Sequence, residues 1–237
     1  MKRTAYVTGC DRGLGLALAK VLLGQGYKVF AGSYLTDWPE LSELAAQEPN
    51  LRIVPVDIAS DKSVAKAARI IKEETDHLDI LINNAAIFRD RSENVFGELY
   101  FEDMQNLFNT NALGTLRVTH SVIDLLMKGE EKRLVNISSE AGSIADNWRK
   151  DTFGYCMSKT AVNMQAAILQ NHLQEFGIKV LCFHPGWVRS YMSGKFNDEA
   201  TVEAIDSATG IIEQVQKPHE IGTHPTYMDY TGKLLPW

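Results

Sequence analysis

Cysteine is scarce in this chain: Cys10, Cys156 and Cys182 are odd in number, widely spaced and show no Cys-x-x-Cys pairing. That speaks against a disulfide scaffold and against a thiolate metal cluster, and it suits a reducing cytoplasm. The six histidines are scattered with no His-Glu-x-x-His run, so no metal site is expected. Positive charge is in deficit, with 24 Lys and Arg against 30 Asp and Glu and a net charge of −6. A protein that binds nucleic acid by neutralising phosphates needs the opposite balance. No apolar run is long enough to cross a bilayer. The first motif begins within ten residues, which leaves no expectation of a signal peptide. No low-complexity tract, charge block or Pro/Gly/Ser linker divides the chain, so residues 1–237 read as one domain.

What is present is an ordinary globular composition, 45% hydrophobic over 237 residues, within the size that a single α/β domain reaches. Short apolar runs alternate with longer helical ones. Strands are expected over 4–8, 27–33, 51–58, 78–86, 132–139 and 178–186. Helices are expected over 14–26, 38–47, 61–75, about 101–127 and 155–177. The tail, the least periodic part, is expected to end in a last edge strand. The strands are apolar almost throughout, as strands buried on both faces are. This is the pattern of a doubly wound, mostly parallel seven-stranded sheet of Rossmann type, with its ligand at the carboxyl ends of the strands.

The residues after each strand therefore carry the chemistry. After the first comes "TGCDRGLG", in which Gly9, Gly13 and Gly15 lead straight into a helix. Glycines let a phosphate approach the backbone, and a helix N-terminus favours its charge; a plain tight turn is the bland alternative. After the third strand stands Asp57, after the fourth Asn83 and Asn84, after the fifth Ser138 and Ser139, and after the sixth "HPGWVRS". Within "FNTNALGTL", two Asn and a Gly interrupt good helix formers, which predicts a kink at Asn111. Tyr155 and Lys159, four apart on a helix, share one face at the same rim as Ser139.

These features in this order, "TGCDRGLG", "VDI", "NNAA", "NTNALG", "NISS", "YCMSK" and "HPGWVRS", resemble the short-chain dehydrogenase/reductase family over almost the whole chain. "RGLGLALAK", "GSIADN" and "DYTGKLLPW" tilt the resemblance toward sniffer-type carbonyl reductases and the C-factor group. The resemblance implies that Tyr155 is the general acid/base and that Lys159 lowers its pKa and bonds the nicotinamide ribose. Ser139 would hold the substrate oxygen, chosen over Ser138 because it directly precedes the "xxG" that is "EAG" here. Asn111 would support Lys159 through a water. The cofactor would lie along Gly9, Asp11, Arg12, Gly13, Leu14, Gly15, Ser33, Tyr34, Asp57, Ile58, Asn84, Ala85, Tyr155, Lys159, Pro185, Gly186, Val188 and Ser190, with Asp57 near the adenine and Val188 and Ser190 at the carboxamide. Ala86 stands where the family usually has Gly, which is tolerable if its φ is negative.

The cofactor is expected to be NADP, with NAD possible. No acidic residue ends the second strand, Asp37 and Glu40 read as a helix cap, and Arg12 is placed to pair with a 2′-phosphate. The reading is a hydride-transferring oxidoreductase for a small carbonyl or alcohol substrate, cytoplasmic, a homodimer or homotetramer, with no nucleic-acid or membrane partner. Its alternative is a dinucleotide-binding signalling or regulatory protein of the C-factor type with secondary catalysis. Residues 140–154, between Ser139 and Tyr155, are expected to wall the substrate pocket or to form a plain surface loop, and 187–208 to form a flexible lid.

Overall fold

The computed structural model describes residues 2–35 and 37–237. The strands are β1 (Thr4–Val7), β2 (Lys28–Ser33), β3 (Leu51–Pro55), β4 (Ile80–Asn83), β5 (Arg133–Ile137), β6 (Lys179–His184) and β7 (Thr226–Asp229). They form one seven-stranded sheet in the order β3-β2-β1-β4-β5-β6-β7, and every pairing is parallel. The expected "mostly parallel" sheet is thus parallel throughout, and the edge strand expected in the tail is β7.

Alternate residues of each strand feed two cores, as the period of two requires. Val7, Ala31, Ile82, Val135 and Phe183 pack toward helices α1 (Gly13–Gly24), α2 (Glu40–Gln47) and α7 (Ala204–Gln216). Tyr6, Phe30, Leu81, Leu134 and Val180 pack toward α3 (Asp61–Glu74), α5 (Thr115–Lys128) and α6 (Phe153–Leu173). Both faces are covered, which is why the strands read as continuous apolar runs. The chain steps from β1 out to β2 and β3 on one side, then crosses back through α3 to β4 on the other side of β1. The crevice lies at that switch point, outside the strand ends.

Two expectations need correction, and the irregularity expected in the 101–127 helix takes a definite form. The 101–127 helix is not uniform: α4 (Phe101–Leu107) passes through a π-helical turn, Phe108–Gly114, into α5. That turn contains Asn111 and is the physical form of the expected kink. The segment 187–208 is not one lid. Val188 bridges Val202, the Trp187 carbonyl accepts from Val202 N–H at 3.0 Å, and α7 begins at Ala204. The missed helix α7 had a signal, since Ala208, Ile211, Ile212 and Val215 follow helical spacing and are buried. Finally, Asp37 and Glu40 do not cap α2. Pro39 stands at its N-cap without a side-chain bond, and the Glu40 carboxylate accepts from Trp38 Nε1 instead.

Candidate active site

One cavity of about 1540 Å³ runs along the carboxyl ends of the strands. All the sequence-predicted site residues line it except Ser33 and Asn111. Its floor at one end is the glycine turn. Gly9 has φ +70°, and a Cβ there would stand 2.9 Å from the Ala85 Cα. A Cβ on Gly15 would stand 2.0 Å from the Gly9 carbonyl oxygen, so the turn closes only on glycine. Asn84 holds that turn, its Nδ2 donating to the Thr8 carbonyl at 2.9 Å and the Gly9 carbonyl at 3.1 Å. Helix α1 starts here with no side-chain cap and no acid in its first turn. Its leading N–H groups are therefore left to an anion, which fits the pyrophosphate of a dinucleotide.

The adenosine end differs from expectation. Asp11 Oδ1 accepts from Ser33 Oγ at 2.6 Å, from Tyr34 N–H at 2.9 Å and from Leu35 N–H at 2.9 Å. Ser33 is thereby turned to Asp11, and a carboxylate does stand at the end of β2, supplied by the glycine turn instead of β2 itself. Arg12 is not free in solvent. Its guanidinium lies 4.5 Å from the Trp38 ring and 5.2 Å from the Tyr191 ring, and Nη2 donates to the Tyr191 carbonyl at 3.1 Å. Asp57 turns into its own loop, Oδ1 accepting from Ala59 N–H at 2.9 Å.

At the other end, Tyr155 and Ser139 both line the cavity, and Ser139 Oγ accepts from Ala141 N–H at 3.2 Å. Ser138 Oγ donates to Asn163 Oδ1 at 2.7 Å. The Ser139 carbonyl accepts from the buried Tyr227 hydroxyl at 2.6 Å, a support with no clear sequence signal. Lys159 is buried, and its Nζ donates to the Ile137 carbonyl at 2.8 Å. Burial pushes the Tyr155 phenol up to about 12, partly opposed by the nearby Ser139 hydroxyl, and pushes the Lys159 ammonium down to about 8. The expected lowering of Tyr155 by Lys159 is thus reversed by desolvation.

Asn111 lies outside the cavity wall. Its Oδ1 accepts from Ile87 N–H at 2.9 Å, and its Nδ2 donates to the Ile87 carbonyl at 3.0 Å and to Ser158 Oγ at 3.1 Å. Ala86 is accommodated, because the only non-glycine residues with positive φ among those described are Lys132 and Thr152. Trp148 and Arg149 do line the cavity, with Arg149 Nη2 paired to Glu140 Oε1 at 2.7 Å. Among the described residues no cluster of potential metal ligands occurs, and no helix is long and apolar enough to cross a membrane.

A parallel sheet with a glycine cradle at its switch point and a Ser–Tyr–Lys group at its rim defines a nucleotide-dependent oxidoreductase class. The model of the short chain dehydrogenase family matches residues 3–201, and the chain belongs to that family. It is 34% identical to the C-signal of Myxococcus xanthus over 165 residues, covering 69% of this chain and 95% of that one. The NADPH-bound carbonyl reductase from chicken fatty liver superposes with a TM-score of 0.89 at 30% identity, covering 100% of this chain and 99% of that one. Carbonyl reductase Sniffer of D. melanogaster gives a TM-score of 0.90 at 26% identity over the full length of both.

Proposed function

We propose that the protein reduces a small carbonyl compound, or oxidises the corresponding alcohol, with NADP(H), and with NAD(H) as the weaker partner. The observation that carries this reading is that Ser139, Tyr155 and Lys159 line one end of the cavity, with the Lys159 ammonium held by the Ile137 carbonyl. Bound along the glycine turn and α1, the dinucleotide supplies the hydride or receives it.

The chain's own residues do the rest. Ser139 Oγ holds the substrate oxygen. Tyr155, held near a pKa of about 12, is protonated at neutral pH and donates its proton to that oxygen as negative charge develops. The phenolate left behind is stabilised by the Ser139 hydroxyl and by the Lys159 ammonium, which is mostly charged at neutral pH with a pKa of about 8. Lys159 also bonds the ribose, and Asn111 supports the helix turn behind it through Ser158. The NADPH named for the chicken carbonyl reductase and the free guanidinium donors of Arg12 support NADP. Three buried free thiols support a cytoplasmic setting.

A second reading, a dinucleotide-binding regulatory protein with secondary catalysis, draws on the C-signal likeness. A pure binder has no use for a protonated Tyr155 aimed into the cavity, so the enzyme reading stands first. Nicotinamide absorbance, followed with both cofactors over a panel of ketones, aldehydes and alcohols, tests it. Saturable turnover supports the enzyme, and tight cofactor binding without turnover on any of the panel supports the regulator.

A further inference from the structure

Helix α6 carries Tyr155 in its first turn, yet nothing in α6 itself fixes where that turn begins. The residue before it, Thr152, sits at φ 54°, ψ 39°, a left-handed conformation that β-branched residues rarely adopt, and its side chain caps no N–H. Uncapped, the leading N–H groups of a helix remain unsatisfied. The cap comes from 64 residues upstream. Asp90 Oδ2 accepts from Gly154 N–H at 2.8 Å and from Tyr155 N–H at 3.3 Å, while its Oδ1 accepts from Ser92 N–H at 3.1 Å. A carboxylate on helix N–H groups is a charge-assisted bond and suits the helix dipole.

Two neighbours of Asp90 act on the same machinery. The Phe88 ring meets the Tyr155 ring edge-on, with centroids 4.7 Å apart at 83°. Ile87 uses both its backbone groups on Asn111. On the opposite side, Gly154 lets α4 approach so closely that a Cβ would stand 2.9 Å from Leu107 Cδ1 and from Met104 Cα. The first turn of α6 is thus pressed between α4 and the loop after β4.

We propose that Asp90 is the positioning residue of Tyr155: by capping the first turn of α6 from the loop after β4, it sets where the phenol stands against Ser139. The inference rests on the oxidoreductase reading only for its kinetic consequence. The geometry itself has a separate readout.

The test uses Asp90→Ala and Asp90→Asn, the latter keeping an acceptor oxygen for both N–H groups. With nitrobenzaldehyde as probe and NADPH in excess, Asp90→Ala lowers kcat by about 10- to 100-fold, the scale of a misplacement of roughly one ångström. Its KM and its NADPH affinity, read by fluorescence quenching, stay within about twofold, since Asp90 touches neither ligand. Asp90→Asn recovers kcat to within a few-fold. In parallel, a fluorotyrosine placed at position 155 gives a single fluorine resonance in the parent and in Asp90→Asn, and a shifted or broadened one in Asp90→Ala. A parent that binds NADPH and reduces no carbonyl, with the fluorine signals behaving as stated, sinks the oxidoreductase reading and sustains the role of Asp90. An unmoved fluorine signal, or equal losses in the Ala and Asn variants, overturns the role of Asp90 whatever the turnover.

Discussion

Lys159 Nζ donates to the Ile137 carbonyl at 2.8 Å and lies 5.7 Å from the centroid of the Tyr155 ring. The ammonium is therefore held at the floor of the site by the end of β5, and burial there draws its pKa down from 10.5 to about 8. If the charged form bonds the ribose, binding must raise that pKa again. The sign follows from linkage: affinity is highest where Lys159 is charged in the free protein, below about 8, and falls as pH rises beyond it. NADPH titrations from neutral to alkaline pH should show this decline. In Lys159→Met the decline should vanish and overall affinity should drop. A parent whose affinity is flat across that range would remove the ribose contact of Lys159.

Tyr155→Phe deletes the proton donor and leaves the ring against Phe88. Turnover should fall by ~10²–10⁴-fold, the typical contribution of general acid/base catalysis, while cofactor affinity changes little. The comparison needs only steady-state rates and a cofactor titration on one preparation. Retention of near-parental turnover on any substrate that the parent accepts would take the acid role from Tyr155.

What the sequence made legible is what is local or periodic. The alternation of strands and helices, the turn closed by Gly9 and Gly15, and the irregularity at Asn111 each show as a break or a period within a dozen residues. Ser139 and Tyr155 line the same cavity because both stand at the carboxyl edge of the sheet, which the strand pattern already implies. What was hidden depends on partners far apart along the chain. Asp90 reads as a loop residue until β4 and α6 are placed side by side. Asp11 reads as part of a glycine turn until the end of β2 folds onto it. The direction of the Tyr155 shift was hidden for another reason: spacing shows the lysine, but only the packed structure shows how much water both groups have lost.

We expect an oligomer from what α6 leaves uncovered. Met157, Met164 and Ile168 are exposed along one side of it, and Phe101, Phe108 and Leu116 are exposed on the neighbouring helix. Closed symmetry is the usual outcome when such a face pairs with its copy. Light scattering at micromolar concentration should give the mass of a dimer or tetramer, and Met164→Glu with Ile168→Glu should reduce it to a monomer with its fold retained. A parent of monomeric mass would end this reading.

Cofactor choice turns on two side chains of the glycine turn that oppose each other. Arg12 is braced between Trp38 and Tyr191, which fixes the plane of its guanidinium while leaving donors for a phosphate. Charge-assisted bonds to a 2′-phosphate are worth roughly 1.5–3 kcal/mol, or about a ten- to hundredfold preference for NADPH over NADH. Asp11 works against this, because its carboxylate is held at the end of β2 by Ser33 and two backbone N–H groups. Arg12→Ala should therefore weaken NADPH by about that factor and barely touch NADH. Asp11→Asn keeps an acceptor for the three donors and removes the charge, so NADPH should tighten by up to about tenfold with NADH little changed. The sign of the second effect separates the two roles, since a purely structural Asp11 would shift both cofactors together. Titrating both cofactors against the parent and the two variants decides it: equal losses for NADPH and NADH in Arg12→Ala, or none, leave the 2′-phosphate without its partner.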